Sequence, residues 1–270
     1  MNGRLGWIVA LAFAALLALP LGWVVLASLS PEHVLFGGGG LGIGGLSLEH
    51  YVSLFARQNF WLPIRNSLVV ASATTLACLA IGGGAAYALA RLEFAGRGLV
   101  LGAVLAVSMF PQISIVQPLY ALLRSARLID TYPGLVLPYL TFALPLTVWL
   151  LVSYFRQLPS EIEQAAMIDG ASRMRVLVSI VLPLSLPGIV SSGIVAFIYC
   201  WNEFLFALSF TVGPERQTVP VAVAFLRGRH QVPWGEVFAA TVVATAPVVA
   251  LVLAFQRRIV EGLASGAVKS

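Results

Sequence analysis

The amino-acid sequence predicts an all-α protein that crosses a membrane with six helices. Its 270 residues are 59% hydrophobic and only 10% charged, and its mean hydropathy of +0.94 lies far above that of soluble domains. Several uncharged runs reach the roughly 20 residues needed to cross a hydrocarbon layer about 30 Å thick. Because backbone groups in lipid must form hydrogen bonds within their own segment, each run is predicted to be a helix.

Six apolar runs define the predicted spans, and together they make the chain a single transmembrane domain. They lie at about 5–29, 66–90, 99–122, 135–155, 187–210 and 237–255. The first run is too long for the core of a signal peptide and is interpreted as a retained helix. Proline interrupts the hydrogen bonding of a helix, so kinks are expected at Pro20, Pro111, Pro145 and Pro247.

The charge distribution predicts the orientation of these spans. An even number of crossings puts both termini on one side, and a slight majority of the sixteen basic residues falls on that side. Since basic loops are retained inside, both termini are predicted to be cytoplasmic. The basic residues stand singly or in pairs between apolar runs, a pattern that suits lipid headgroups and argues against nucleic-acid binding.

A polar segment, residues 156–186, separates the fourth and fifth spans and is predicted to be a cytoplasmic loop of two short helices. Pro159 should end the fourth span, and Ser160 followed by Glu163 matches the capping box that begins a helix. Gly170 offers the left-handed conformation that closes a helix. A second short helix is predicted from about Ser172 onward.

The first helix of this loop has a shallow apolar face, on which the helical period places Ile162, Ala165, Ala166 and Asp169. Small residues permit close approach, so the face suits docking into a groove on another protein. The alternative is a helix that lies on the lipid surface and joins two spans. Composition alone favours neither.

A few polar residues fall within the predicted spans. Glu203 is the acidic residue placed inside the membrane, where a charge costs roughly 2.5–3.5 kcal/mol at the centre of the bilayer. With Asn202, it either lines an aqueous path for a polar substrate or forms a hydrogen bond between helices. Gln112 and Gln117 of the third span are weaker candidates for the same path.

The sequence predicts a membrane protein with no catalytic residue, no metal site and no bound cofactor. A nucleotide-binding P-loop needs a lysine after a glycine pattern, and the only lysine, Lys269, lacks that pattern. No nucleophile motif and no histidine spacing typical of a metal site is present. Any process in this chain that is driven by ATP is therefore expected to take its energy from a partner.

Two kinds of membrane protein that need no ATP-hydrolysing partner are alternatives. An ion- or proton-driven secondary transporter would need a relay of intramembrane carboxylates and an inverted internal repeat. One intramembrane glutamate and no evident repeat argue against it. A membrane scaffold without transport activity is the third possibility.

Motifs along most of the chain resemble one family. "EQAAMIDGA" followed by "IVLP" is similar to the EAA loop of ABC-importer permeases. Four further stretches match the same family: "NSL", "YALARLEF", "MFPQISIVQPLY" and "RLIDTYPGLVLPY". Two more, "WNEFLFAL" and "QRRIVEGLASGAVKS", resemble the carbohydrate-uptake branch, in particular the second permease subunit of maltose and trehalose importers. One departure is Gln164, which stands where the EAA pattern has its glutamate.

The resemblance implies the type I importer fold, and it implies that the first helix of the loop is the coupling helix, which fits a cleft in an ATP-binding subunit. It implies that the coupling residues make polar contacts with that subunit, approach it closely and form the bend after the helix. These residues are Glu163, Gln164, Ala165, Ala166, Asp169 and Gly170. The implied partners are a second homologous permease, two cytoplasmic ATP-binding subunits that hold ATP and magnesium, an extracytoplasmic sugar-binding protein and membrane lipid. The implied cargo is a sugar, such as the disaccharides trehalose and maltose, and the implied location is the inner (plasma) membrane.

Overall fold

The computed structural model describes residues 3–36, 45–226 and 232–267, with side chains described for all of these except 3–5, 36 and 257–267. Lys269 lies outside the described residues. Those residues form helices joined by turns and contain no strand, so the all-α prediction is confirmed.

The helices follow one another along the chain as fourteen α-helices, with one π-helical turn between the ninth and the tenth, in the part that the structure describes. They are α1 Gly3–Leu29, α2 Glu32–Phe36, α3 Glu49–Ala56, α4 Trp61–Arg91, α5 Arg97–Ser108, α6 Gln112–Ser125, α7 Tyr132–Phe155, α8 Ser160–Ile168, α9 Arg173–Val176, the π-helical turn Leu177–Val181, α10 Leu182–Leu184, α11 Leu186–Trp201, α12 Leu205–Phe210, α13 Val219–Ala224 and α14 Trp234–Ala267.

Four of these helices, α1, α4, α7 and α14, are long and apolar enough to cross a membrane, and two bent pairs bring the number to as many as six. In the first pair, α5 and α6 meet at 90°. Pro111 stands in an extended conformation before α6, so its effect on the third span is a break rather than the expected kink. By contrast, Pro20, Pro145 and Pro247 lie inside continuous helices.

The fifth span also differs from the predicted single helix over 187–210. Residues 173–184 and α11 form the second bent pair, at 79°. Helix α11 then ends at Trp201, three residues form a break, and α12 begins at Leu205. Hydrophobicity could not show this interruption, because the residues on both sides of it are apolar.

One compact unit comprises residues 63–221 and 248–270, and within it α7 packs against α5 and α11. Its interior contains two apolar clusters. The α12-side cluster includes Val70, Cys78, Tyr139, Cys200, Phe206 and Phe210. The loop-side cluster includes Tyr87, Ala90, Leu151, Phe155, Val176 and Val181.

The other compact unit comprises residues 1–62 and 222–247. Within it, side chains of α3 bond the turn that follows α1 and helix α14. The ring nitrogen Nε2 of His50 lies 3.0 Å from the carbonyl oxygen of Ser30, and the hydroxyl of Ser53 donates to Glu236 at 2.6 Å. The apolar residues of α1 from Gly6 onward have almost no cover within the chain, as expected for a helix that faces lipid or another subunit.

Candidate functional site

The polar loop between α7 and α11 folds into the two predicted short helices. Pro159 precedes α8 as its N-cap residue and supplies no side-chain cap, so the predicted capping box of Ser160 and Glu163 is wrong. The end of α8 follows the prediction, because Gly170 adopts the left-handed conformation at φ +86°. The hydroxyl of Ser172 then caps α9 by accepting the amide of Arg175 at 3.4 Å.

The carboxylate of Glu163 is buried, with 5% of the residue exposed. The guanidinium of Arg91 donates to it at 2.6 Å, and the hydroxyl of Tyr87 donates to its second oxygen at 3.2 Å. Arg91 also donates to the carbonyl of Leu158 at 2.6 Å. Glu163 therefore cannot serve as the external polar contact that the resemblance implied, because its partners lie within this chain.

The other coupling candidates divide between the exposed and inner faces of α8. Gln164, Ala165 and Asp169 are exposed, and Ile168 beside them has 86% of its surface accessible. Ala166 is half-buried and packs against the loop-side cluster, so it does not share the exposed face that the helical period assigned to it. The exposed face of α8 thus offers small and apolar side chains with one amide and the carboxylates of Glu161 and Asp169.

Arg91, Tyr87 and Leu158 were missed from the sequence as members of this site. A signal for Arg91 was available, because it ends a long apolar run as an isolated cation and a partly buried charge needs a counterion. Nothing in the sequence indicated that Glu163 rather than Glu161 is that counterion.

The second polar region lies at the break between α11 and α12. Glu203 is buried, and its two carboxylate oxygens accept the backbone amides of Phe206 at 2.8 Å and Ala207 at 3.1 Å. It therefore caps the first turn of α12, whose amides have no partner inside the helix. Backbone amides in lipid need such an acceptor, and this contact supports a structural role for Glu203.

A cavity of about 390 Å³ adjoins this break, within the size range of about 300–1,000 Å³ common for small-molecule sites. Its lining brings together Gln112 at the start of α6, Tyr199 and Asn202 at the end of α11, and Glu203 in the break itself. The amide of Gln112 donates to the Tyr199 hydroxyl. Gln117 does not line the cavity, and Tyr199 is a lining residue that the sequence analysis missed.

A larger groove of about 580 Å³ lies between α4, α5 and α7, and its lining is apolar except for Thr141. Such a surface suits an acyl chain or an apolar helix better than a polar cargo, because buried hydroxyl groups need hydrogen-bond partners. Among the described residues, no group of His, Cys, Asp or Glu side chains is arranged to hold a metal ion. The smaller cavity is therefore the better candidate for a polar cargo.

Comparison with known proteins shows the family of this chain. Residues 78–265 match the family model described as binding-protein-dependent transport system inner membrane component. The trehalose/maltose transport system permease protein MalG of Thermococcus litoralis is 43% identical, over 96% of this chain and 94% of its own length. The trehalose transport system permease protein SugB of Mycobacterium tuberculosis is 42% identical, over 93% and 92%.

A solved structure shows the same fold. A chain of a bacterial ABC transporter involved in the import of alginate, an acidic polysaccharide, superposes with a TM-score of 0.78 at 19% identity, covering 94% of this chain and 95% of that one. The resemblance seen in the sequence motifs is confirmed, and the ion-driven carrier is disfavoured. The chain belongs to the family of binding-protein-dependent transport system inner membrane components, and it is a multi-pass permease subunit of an ABC importer rather than an enzyme.

Proposed function

We propose that this permease imports a neutral disaccharide of the trehalose and maltose class, driven by ATP hydrolysis in a separate subunit. The cargo is supported by two relatives, named for trehalose or trehalose/maltose transport, that exceed 40% identity over more than nine tenths of this chain. The observation that carries the mechanism is the exposed face of α8, which is built from small and apolar side chains and is anchored from behind by a buried ion pair.

In this proposal α8 is the coupling helix. Gln164, Ala165, Ile168 and Asp169 enter a cleft on a cytoplasmic ATP-binding subunit, and Gly170 makes the bend that follows. Ile168 is the natural anchor, because 86% of its surface is accessible and helix-in-groove docking relies on apolar anchors. Two such ATP-binding subunits hold ATP and magnesium, one for this permease and one for a second homologous permease.

The cytoplasmic position of α8 also sets the topology. With six spans and the loop between the fourth and fifth in the cytoplasm, both termini are cytoplasmic. An extracytoplasmic binding protein delivers the sugar on the opposite side. This arrangement is supported by a solved alginate transporter in complex with a periplasmic protein that holds an alginate pentasaccharide, whose chain superposes on this one with a TM-score of 0.69.

The sugar path in this proposal runs along the cavity beside the α11–α12 break. Asn202 is exposed there, and the amides of Asn202 and Gln112 supply both donors and acceptors, which match sugar hydroxyl groups. Glu203 lines the same cavity, and its role in this proposal is to hold the break by capping α12. Gln117 has no part in the proposed path, because it does not line the cavity.

The test is reconstitution of the assembled importer with its ATP-binding subunit and binding protein, measured by uptake of labelled trehalose and maltose. Ile168→Asp should lower co-purification of the ATP-binding subunit at least tenfold, because a charge replaces the apolar anchor. Met174→Asp is the matched control, since Met174 is an exposed apolar residue of α9 outside the coupling face. Undiminished co-purification with Ile168→Asp would refute the docking surface, and ATP-independent uptake would refute the energy source.

A further inference from the structure

We infer that the Arg91–Glu163 ion pair is a positioning link that fixes the coupling helix α8 to the cytoplasmic end of α4, so that the two move as one body. This inference rests on the proposed coupling function and goes beyond it, because it assigns the route by which movement of α8 enters the membrane. Arg91 and Glu163 are positioning residues that act through α8 and do not themselves contact the ATP-binding subunit.

The first support is the geometry of the pair. The Nε of Arg91 lies 2.6 Å from Oε1 of Glu163, and the exposed fractions of the two side chains are 14% and 7%. Tyr87, one turn earlier on α4, bonds the other carboxylate oxygen. A charge-assisted bond of this length in a water-poor site holds its partners more firmly than an exposed ion pair does.

The second support is that Arg91 joins three elements at once. It donates to Glu163 on α8 and, through its second nitrogen, to the carbonyl of Leu158, which lies in the turn between α7 and α8. The end of α4, the end of α7 and the start of α8 are therefore bonded to a single side chain. The chain immediately before α8 is held together with the helix itself.

The third support is that α8 has little else to hold it. It has only nine residues, and isolated helices shorter than about 12–15 residues are marginal in water. Its packing within the chain includes the half-buried Ala166 and Met167 against the loop-side cluster. Without the ion pair, a helix this short would be held by these apolar contacts, by its packing against α9 and by the Tyr87 hydroxyl, and it would lose part of any displacement applied to it.

The link leads toward the cavity beside the α11–α12 break, because α4 extends from the cytoplasmic loop to the cluster that contains Cys200 and Phe206. From Arg91 to Val70 the helix rises about 30 Å, and Val70 packs in the same cluster as Cys200 and Phe206. Leu79 of α4 also contacts α11, since a Cβ built on Gly193 would lie 3.1 Å from its side chain. Movement of α8 thus reaches the helices beside the α11–α12 break through α4 as well as along the loop itself.

The first experiment measures the link without any partner. Spin labels are placed through noncanonical amino acids at Glu93 and Glu161, two exposed positions, in the full chain in nanodiscs, and their distance distribution is recorded by pulsed electron resonance. The wild type should give one narrow distribution. Arg91→Gln and Glu163→Gln should each broaden this distribution at least twofold. The double variant should broaden it no further than either single variant. Arg91→Lys should give an intermediate width. Arg97→Gln, the arginine control, should leave it narrow.

The second experiment measures coupling in the assembled importer as sugar uptake per ATP hydrolysed, using trehalose and its binding protein. Arg91→Gln and Glu163→Gln should lower this ratio about tenfold while the ATP-binding subunit stays bound. Narrow distributions in both variants would overturn the link, and broad distributions with a normal ratio would overturn its role in coupling. If Ile168→Asp leaves the ATP-binding subunit bound, the docking proposal fails instead, and the distance measurement still decides whether the link exists.

Discussion

Two buried glutamates among the described residues of this permease solve the same problem in opposite ways. Glu163, at the cytoplasmic loop, is neutralised by the Arg91 side chain, whereas Glu203, within the fifth span, accepts two backbone amides. A buried carboxylate needs such partners, because losing its hydration is costly. The Arg91 side chain ties two distant segments together, while the two backbone amides belong to the next turn of the same chain. The first arrangement suits transmission of movement and the second suits a fixed break in a helix.

Replacing Arg91 should produce the largest change in stability. Arg91→Leu leaves the Glu163 charge buried without its partner, and breaking a buried pair from one side costs about 3–5 kcal/mol. The double variant Arg91→Leu with Glu163→Met should recover most of this loss, because it removes both charges. Thermal unfolding in detergent measures both. A double variant as unstable as Arg91→Leu would mean that the charge is not the cause.

Removing the cap at Glu203 should have the next largest effect. Glu203→Ala removes the acceptor shared by the amides of Phe206 and Ala207, which should cost about 1–3 kcal/mol. Glu203→Gln keeps one acceptor oxygen and should lose about half as much. No second substitution can rescue this site as at Glu163, because the partners are backbone groups. The melting temperatures of the two variants test this order, and equal values for Glu203→Ala and wild type would remove the capping role.

Substitution at Gly170 should affect coupling more than folding. The space around this glycine is open, so a larger side chain meets no clash, but the left-handed backbone costs an ordinary residue about 1–2 kcal/mol. Gly170→Leu should therefore fold and assemble yet lower uptake per ATP hydrolysed several-fold. Gly170→Asn is the matched control, since asparagine tolerates this conformation. Equal coupling in the Leu and Asn variants would show that the bend is not needed.

The smallest expected effects come from the cavity itself. Asn202→Ala and Gln112→Ala each remove one amide that can bond a sugar hydroxyl, and a single neutral hydrogen bond contributes about 0.5–1.5 kcal/mol. The KM for uptake should rise about three- to tenfold without loss of the ATP-binding subunit. Gln117→Ala, outside the cavity, serves as the control and should leave the KM unchanged. A larger effect at Gln117 than at Asn202 would place the sugar path elsewhere.

The sequence predicted features that depend on local chemistry. The all-helical fold follows from hydropathy, and the left-handed Gly170 and the start of a second helix after Ser172 follow from residue type. Features that depend on distant partners could not be predicted. The period of α8 places Glu163 on a face but does not say that Arg91, seventy-two positions away, lies opposite it. The break before α12 was hidden for the same reason, because it is stabilised by the folded position of Glu203 rather than by a proline or glycine.

The π-helical turn Leu177–Val181 fixes the angular phase between the cytoplasmic loop and α11. A π turn holds an extra residue relative to an α turn, so it accommodates that residue without the rotation of about 100° that one added residue causes in a regular α-helix. If 177–181 were wound as a regular α-helix, the buried Val176 and Val181, five residues apart, would differ by about 140° around the axis and would no longer point into the same cluster. Chimaeras that exchange this loop between related permeases must therefore transfer the extra residue and the π turn together.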